Sequence, residues 1–175
     1  MVEHSYTSRQ ELDQYRFHAA VTLLAPLTFV LLQVLLPKLW PRLAILDLPL
    51  VATIFFAVAR RSPIAGTITG TLIGLFQDGL TNRPFGVYGI AKGLIGYMAA
   101  SIGFAVDTDN MVNRTLMSFG FTLVQSGLVY LITHWLLGDH SFHLDMIHEL
   151  LRACANTAVA VPLFFLLDRF KLRES

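Results

Sequence analysis

The chain has 175 residues, 54% of them hydrophobic and only 14% charged, with a formal net charge of +1. An ordinary soluble domain is about 25% charged, and a soluble fold this short lacks the interior to hide so much apolar surface. The composition points to an integral membrane protein of one domain. It argues against a soluble enzyme or a nucleic-acid binder, and the small net charge predicts no polyanion partner. Cys154 is the single cysteine, so no internal disulfide is possible.

A bilayer-spanning helix needs about 20 mostly apolar residues. Six segments approach that length, at 17–36, 43–59, 64–80, 86–106, 115–137 and 147–167. The first and fifth contain no Asp, Glu, Lys or Arg, whereas the second holds Asp47, the third Asp78, the fourth Lys92 and the sixth Glu149 and Arg152. The third is the most dilute in hydropathy, because glycines and threonines interrupt it. The first 16 residues mix Arg9 and Arg16 with Glu3, Glu11 and Asp13 and suit a brief interfacial helix. No small-residue cleavage site follows the first apolar run, so that run is expected to stay as an anchor. Orientation follows from basic residues in the loops. With the N-terminus inside, the inner segments carry Arg9, Arg16, Arg60, Arg61, Arg114, Arg169, Lys171 and Arg173, and the outer ones only Lys38, Arg42 and Arg83. The excess belongs in the cytoplasm, which places both termini there.

Nine of the twelve glycines fall between positions 66 and 103. Gly66, Gly70 and Gly74 recur every fourth residue and share one helix face. Gly89 and Gly93 repeat the spacing in the next helix, with Gly96 and Gly103 beyond. Small residues at this spacing let helix backbones approach closely in lipid. Such a face serves internal packing or the docking of a partner helix.

Charges within spans cost about 2.5–3.5 kcal/mol each at a helix centre on insertion scales. Asp47, Asp78, Lys92 and Arg152 are two acids and two bases, which suggests pairing. Asp78 and Lys92 lie 14 residues apart across a tight turn, so their helices are expected to be antiparallel neighbours and the two side chains to meet. The pair is then either a register clamp or part of a polar pocket that also includes Gln77. Arg152 is a candidate buried ion-pair position of this set, with snorkelling to the outer interface as the alternative. Pro49 follows Asp47 by two residues and is expected to kink the second helix, with Asp47 beside the kink lining a cavity or capping a broken helix. His134, His140, His143 and His148 crowd one region with Asp139 and Asp145, but their spacing matches no zinc pattern and suits a polar loop better.

Catalytic signatures fail on inspection. His148-Glu149-Leu150-Leu151-Arg152 begins like a zinc-protease helix but has Arg152 at the second ligand position. Asp107-Thr108-Asp109-Asn110 begins like a calcium loop, but Met111 and Val112 fall where a ligand and a glycine belong. Ser126 lacks a nucleophile elbow. The expectation is a non-enzyme with no catalytic residue, metal or cofactor.

The stretch 43–97 carries a more specific pattern, covering about a third of the chain. Asp47 and Pro49 stand in an apolar segment, and Arg60-Arg61-Ser62-Pro63 makes a short turn. Gly66, Gly70 and Gly74 lead to Gln77-Asp78. Arg83-Pro84-Phe85-Gly86 then opens a helix with Ala91, Lys92, Gly96 and Tyr97. This order and spacing resembles the rod shape-determining protein MreD family. The resemblance implies a bacterial inner-membrane, multi-pass protein without catalytic chemistry. It implies binding to MreC and membership of the elongation machinery of lateral peptidoglycan synthesis, with MreB, RodA and RodA's transpeptidase partner. It also implies an all-helical bundle of six transmembrane helices like the substrate-binding subunits of energy-coupling-factor vitamin transporters. The family motif positions here are Asp47, Gly74, Asp78, Gly86 and Lys92. Two functional readings follow: a scaffold that docks partner spans, and a vitamin-like small-molecule binder with Asp47, Gln77, Asp78 and Lys92 around its pocket.

Overall fold

A computed structural model describes residues 16–17, 19–81, 83–106, 110–141, 143–169 and 171–172. Six helices follow in order: α1 (Ala19–Leu39), α2 (Leu48–Arg60), α3 (Pro63–Thr81), α4 (Val87–Ala105), α5 (Met111–Leu131) and α6 (Met146–Asp168). A 3-10 turn, Pro41–Ile45, joins α1 to α2, and a π turn, Ile132–Leu136, prolongs α5. Outside the helices, Arg16–Phe17 (β1) pairs antiparallel with Lys171–Leu172 (β2), which sets the segment before α1 beside the segment after α6. The interfacial helix expected over the first 16 residues, and the Asp107-Thr108-Asp109 segment, fall outside the described residues except for Arg16 in β1.

Helix starts are set by side chains that take up free amides. Asp47 accepts from the Leu50 amide at 3.0 Å, Asn110 from Val112 at 2.9 Å and Asp145 from Ile147 at 3.0 Å, each satisfying a donor that has no partner inside its helix. This placement corrects the expectation for Pro49. The second helix begins at Leu48, not at position 43, so Pro49 stands in its first turn, where a missing amide hydrogen costs nothing and no kink results. Residues 43–45 belong to the 3-10 turn.

Helix α2 is the axis of the bundle. Every residue from Leu48 to Ala59 is buried. Leu50, Ile54, Phe55 and Phe56 meet Ile95 of α4, Met117 and Phe121 of α5 and Phe164 of α6 in one apolar core. At 13 residues it is about 20 Å long, short against a hydrocarbon layer of about 30 Å. Among the described residues, three helical stretches are long and apolar enough to cross a membrane: Val87–Phe104, Met111–Leu136 and Met146–Asp168. The outer helix faces are apolar as well. On α3, Ile64, Ile68, Leu72, Phe76 and Leu80 form an exposed row one turn apart. Such a continuous apolar exterior suits lipid rather than water.

The glycines explain how α3 and α4 meet. A Cβ added at Gly66 would overlap the Gly96 carbonyl, one at Gly70 the Lys92 carbonyl and one at Gly74 the Tyr88 carbonyl. Seen from α4, a Cβ at Gly96 would strike the Gly66 carbonyl, one at Gly89 the Leu75 side chain and one at Gly93 the Thr71 hydroxyl. The two backbones lie against each other with no side-chain layer between, so both glycine faces are filled from within the chain. Gly86 differs: it has open space around it but sits at φ 101°, a conformation that strains a residue with a side chain.

Candidate functional site

The polar residues collect at the end of the bundle where α2, α4 and α6 begin. Asp47 is 1% exposed and Lys92 is fully buried. Lys92 Nζ lies 2.9 Å from Asp47 Oδ2 and also donates to Gln125 Oε1 at 2.8 Å, with the Tyr88 ring centroid 4.5 Å away. Gln125 Nε2 donates to the same Asp47 oxygen at 2.6 Å, and Arg152 Nη2 reaches it at 3.3 Å. Arg152 Nη1 lies 3.5 Å from Glu149 Oε2, which also accepts the Ser126 hydroxyl. Two acids and two bases therefore form one neutral cluster that ties α2, α4, α5 and α6 together. Buried charges are tolerable in this form because each meets an opposite charge and further hydrogen bonds.

This geometry corrects one expectation. Lys92 pairs with Asp47, 45 residues away, and not with Asp78. Of the two alternatives for Arg152, the structure shows the inward one, with ion pairs to Asp47 and Glu149. Asp78 serves the helix next to it. Its carboxylate accepts the amides of Gly86 at 2.9 Å, Tyr88 at 3.1 Å and Gly89 at 3.2 Å. The N-terminus of α4 carries free N–H groups and partial positive charge, which favour an acid there. Gly86 makes the arrangement possible: its left-handed conformation folds the 83–86 turn so that three amides converge on one side chain.

Several members of this network had gone unrecognised in the sequence. Asn156 Oδ1 accepts the Asp47 amide at 2.8 Å, and Asn156 Nδ2 faces the Thr122 hydroxyl at 3.4 Å. Gln33 brackets the start of α2, donating to the Leu46 carbonyl at 2.7 Å and accepting the Leu48 amide at 3.0 Å. Gln125 bridges Asp47 and Lys92. Gln33 and Gln125 are each the single amide side chain in a span without charged residues, and that isolation is the signal that marks them; Asn156 shares its span with Glu149 and Arg152. At the opposite end of the bundle Arg114, at the start of α5, is paired with Asp168 at the end of α6.

Of the expected pocket residues, Asp47 and Lys92 are consumed in the cluster and Asp78 caps α4. Gln77 alone lines a cavity. That cavity has a volume of about 300 Å³ and is bordered by Gln33, Arg83, Tyr88, His148 and Arg152 together with apolar side chains of the α1–α2 connection. A neighbouring cavity of about 220 Å³ shares Arg83, Tyr88, His148 and Arg152. In the histidine-rich region, His134 and His140 ring nitrogens lie 3.2 Å apart. Asp139 accepts the Ser141 hydroxyl and amide, which hold its carboxyl below the usual carboxylate range. Among the described residues, no group of three or more His, Cys, Asp or Glu is placed to hold a metal ion.

The arrangement at this end is a charge-neutral framework of ion pairs and helix caps. Comparison with known sequences assigns the chain more directly. No curated protein and no solved structure matches it. A family model described as rod shape-determining protein MreD matches residues 18–171. That span is nearly the whole chain, and it carries the buried Asp47, the glycine face of α3, the Asp78 cap and Lys92. The chain thus belongs to the MreD family of shape-determining membrane proteins, which is not a family of known enzymes.

Proposed function

We propose that the protein is a non-catalytic scaffold of the bacterial cell-elongation machinery, seated in the inner membrane with all six helices spanning it, and that it binds MreC. RodA, its transpeptidase partner and MreB belong to the same assembly on this reading. The observation that carries it is the family match over 18–171. The site agrees with a structural role: Asp47, Lys92, Arg152 and Glu149 are bound to one another in one neutral cluster that joins four helices. The glycine faces are occupied internally, which leaves the outward apolar rows of the helices for lipid and for a partner's span. The pairing of β1 with β2 sets the segment before α1 beside the segment after α6, and the excess of Lys and Arg in the inner segments supports putting that side in the cytoplasm. The polar end of the bundle then faces outward. The six-helix architecture of energy-coupling-factor substrate-binding subunits, with a polar cavity at the outer end, fits the same arrangement.

Affinity purification of the tagged chain from native membranes in mild detergent tests this. MreC should remain bound. Recovery of ATPase-module subunits without MreC would refute the scaffold and select the small-molecule transporter reading.

A further inference from the structure

We propose that the outward face of α4 around Tyr97 is the docking site for a transmembrane helix of the partner, and that this helix carries small residues and a side-chain hydrogen-bond acceptor at mid-membrane depth. Resting on the scaffold reading, this face supplies the point of contact that such a role needs. Tyr97 lies on one of the stretches long enough to cross a membrane, ten residues from Val87 and seven from Phe104, which puts it about 15 and 10 Å from the two ends. It is 54% exposed on the outside of the bundle. Tyrosines of membrane proteins gather at the interfaces, where the ring meets hydrocarbon and the hydroxyl meets water. At this depth lipid chains offer no acceptor. Among the described residues the Tyr97 hydroxyl has no hydrogen-bond partner, and only the carbonyl of Tyr97 is engaged, by the Ser101 hydroxyl at 2.8 Å.

Thr71 of α3 repeats the pattern. A threonine in a helix commonly turns its hydroxyl onto the carbonyl four residues earlier, as Thr53, Thr67, Thr122 and Thr157 do here. Thr71 does not. Its hydroxyl sits over Gly93, one turn of α4 from Tyr97, and it too has no partner among the described residues. Two open hydroxyls on adjoining helices thus interrupt a face that is otherwise apolar, with Ile90 and Leu94 exposed beside them. Polar complementarity selects the occupant. A lipid chain leaves both hydroxyls without a partner. A second copy of the chain, set against the same face by two-fold symmetry, would oppose Leu94 and Tyr97 to themselves and hold the backbones apart. A helix with small residues opposite these two side chains approaches closely and brings an Asn, Gln, Ser or Thr oxygen to the hydroxyls.

The test uses the full chain and MreC, each purified in detergent, and measures their dissociation constant and the melting temperature of the chain alone. Tyr97→Phe deletes only the hydroxyl. It should weaken binding about three- to thirtyfold, the range for one hydrogen bond between membrane helices, and leave the melting temperature unchanged. Leu94→Trp enlarges an exposed side chain and should weaken binding about tenfold or more by holding the partner off. Phe165→Trp, on the exposed face of α6, should bind as the unsubstituted chain does. An unsubstituted chain that does not bind MreC refutes the scaffold reading, and this docking face falls with it. Binding that Tyr97→Phe leaves intact overturns the docking face alone. So does a melting temperature lowered by Tyr97→Phe, which would put the partner of the hydroxyl inside the chain, and so does a complex that Phe165→Trp breaks and Leu94→Trp spares.

Discussion

The buried pair of Asp47 and Lys92 offers the sharpest test of how the bundle is held. The two charges are 2.9 Å apart, which at an effective dielectric of about 20 corresponds to roughly 6 kcal/mol of attraction. Desolvating two ions opposes this by several kcal/mol each, so the pair adds little net stability while being expensive to break. Asp47→Asn keeps the oxygen that caps α2 but leaves Lys92 charged, fully buried and facing only Gln125 and the Tyr88 ring. Lys92→Met keeps the length of the side chain but leaves the cluster with one excess negative charge. Each single variant should lose about 3–5 kcal/mol, which for a chain of this size lowers the melting temperature by about 6–20 °C. The double variant strands neither charge and should lose no more than the worse single. A coupling of about 2 kcal/mol or more is therefore expected from the double-mutant cycle, read by circular dichroism melting of monodisperse protein in detergent. Losses that add to within about 0.5 kcal/mol would refute the pairing.

Two other variants probe the remaining contacts. Asp78→Leu should cost about 1–3 kcal/mol through the loss of its hydrogen bonds to the α4 amides; combined with Lys92→Met the losses should simply add, whereas strong coupling would restore the Asp78–Lys92 pair that the geometry rejects. Gly70→Ala drives a methyl group into the Lys92 carbonyl and should cost about 1–3 kcal/mol, while Gly127→Ala, which has nothing within 4 Å, should be neutral or stabilising by up to about 1 kcal/mol. The reverse order in thermal melts would show that α3 and α4 do not touch along their glycines.

How much was legible in the sequence depended on whether the signal was local. Hydropathy marked six helical segments because lipid leaves the backbone few alternatives to a helix. The period of four in Gly66, Gly70 and Gly74 announced a close helix contact because it repeats along one face. Cap positions were harder to read. Pro49 looked like an internal kink because hydropathy runs on through residues 43–47, and only the Asp47 cap shows that the helix starts at Leu48.

The partner of Lys92 was not legible at all. Asp78 is the nearer acid along the chain, but Gln77 and Asp78 are successive residues on a helix and point about 100° apart, one into the cavity wall and one onto the end of α4. Lys92 presents its carbonyl to Gly70 and its side chain to Asp47 and Gln125 on α2 and α5. By itself the sequence determined a membrane-embedded helical chain with the family's order of glycines and charges, since those follow from local composition and spacing. Only the tertiary structure decided which charges meet and which residues border the cavity. Those outcomes depend on how six helices are rotated about their axes, and that rotation is set by packing between segments distant in the chain.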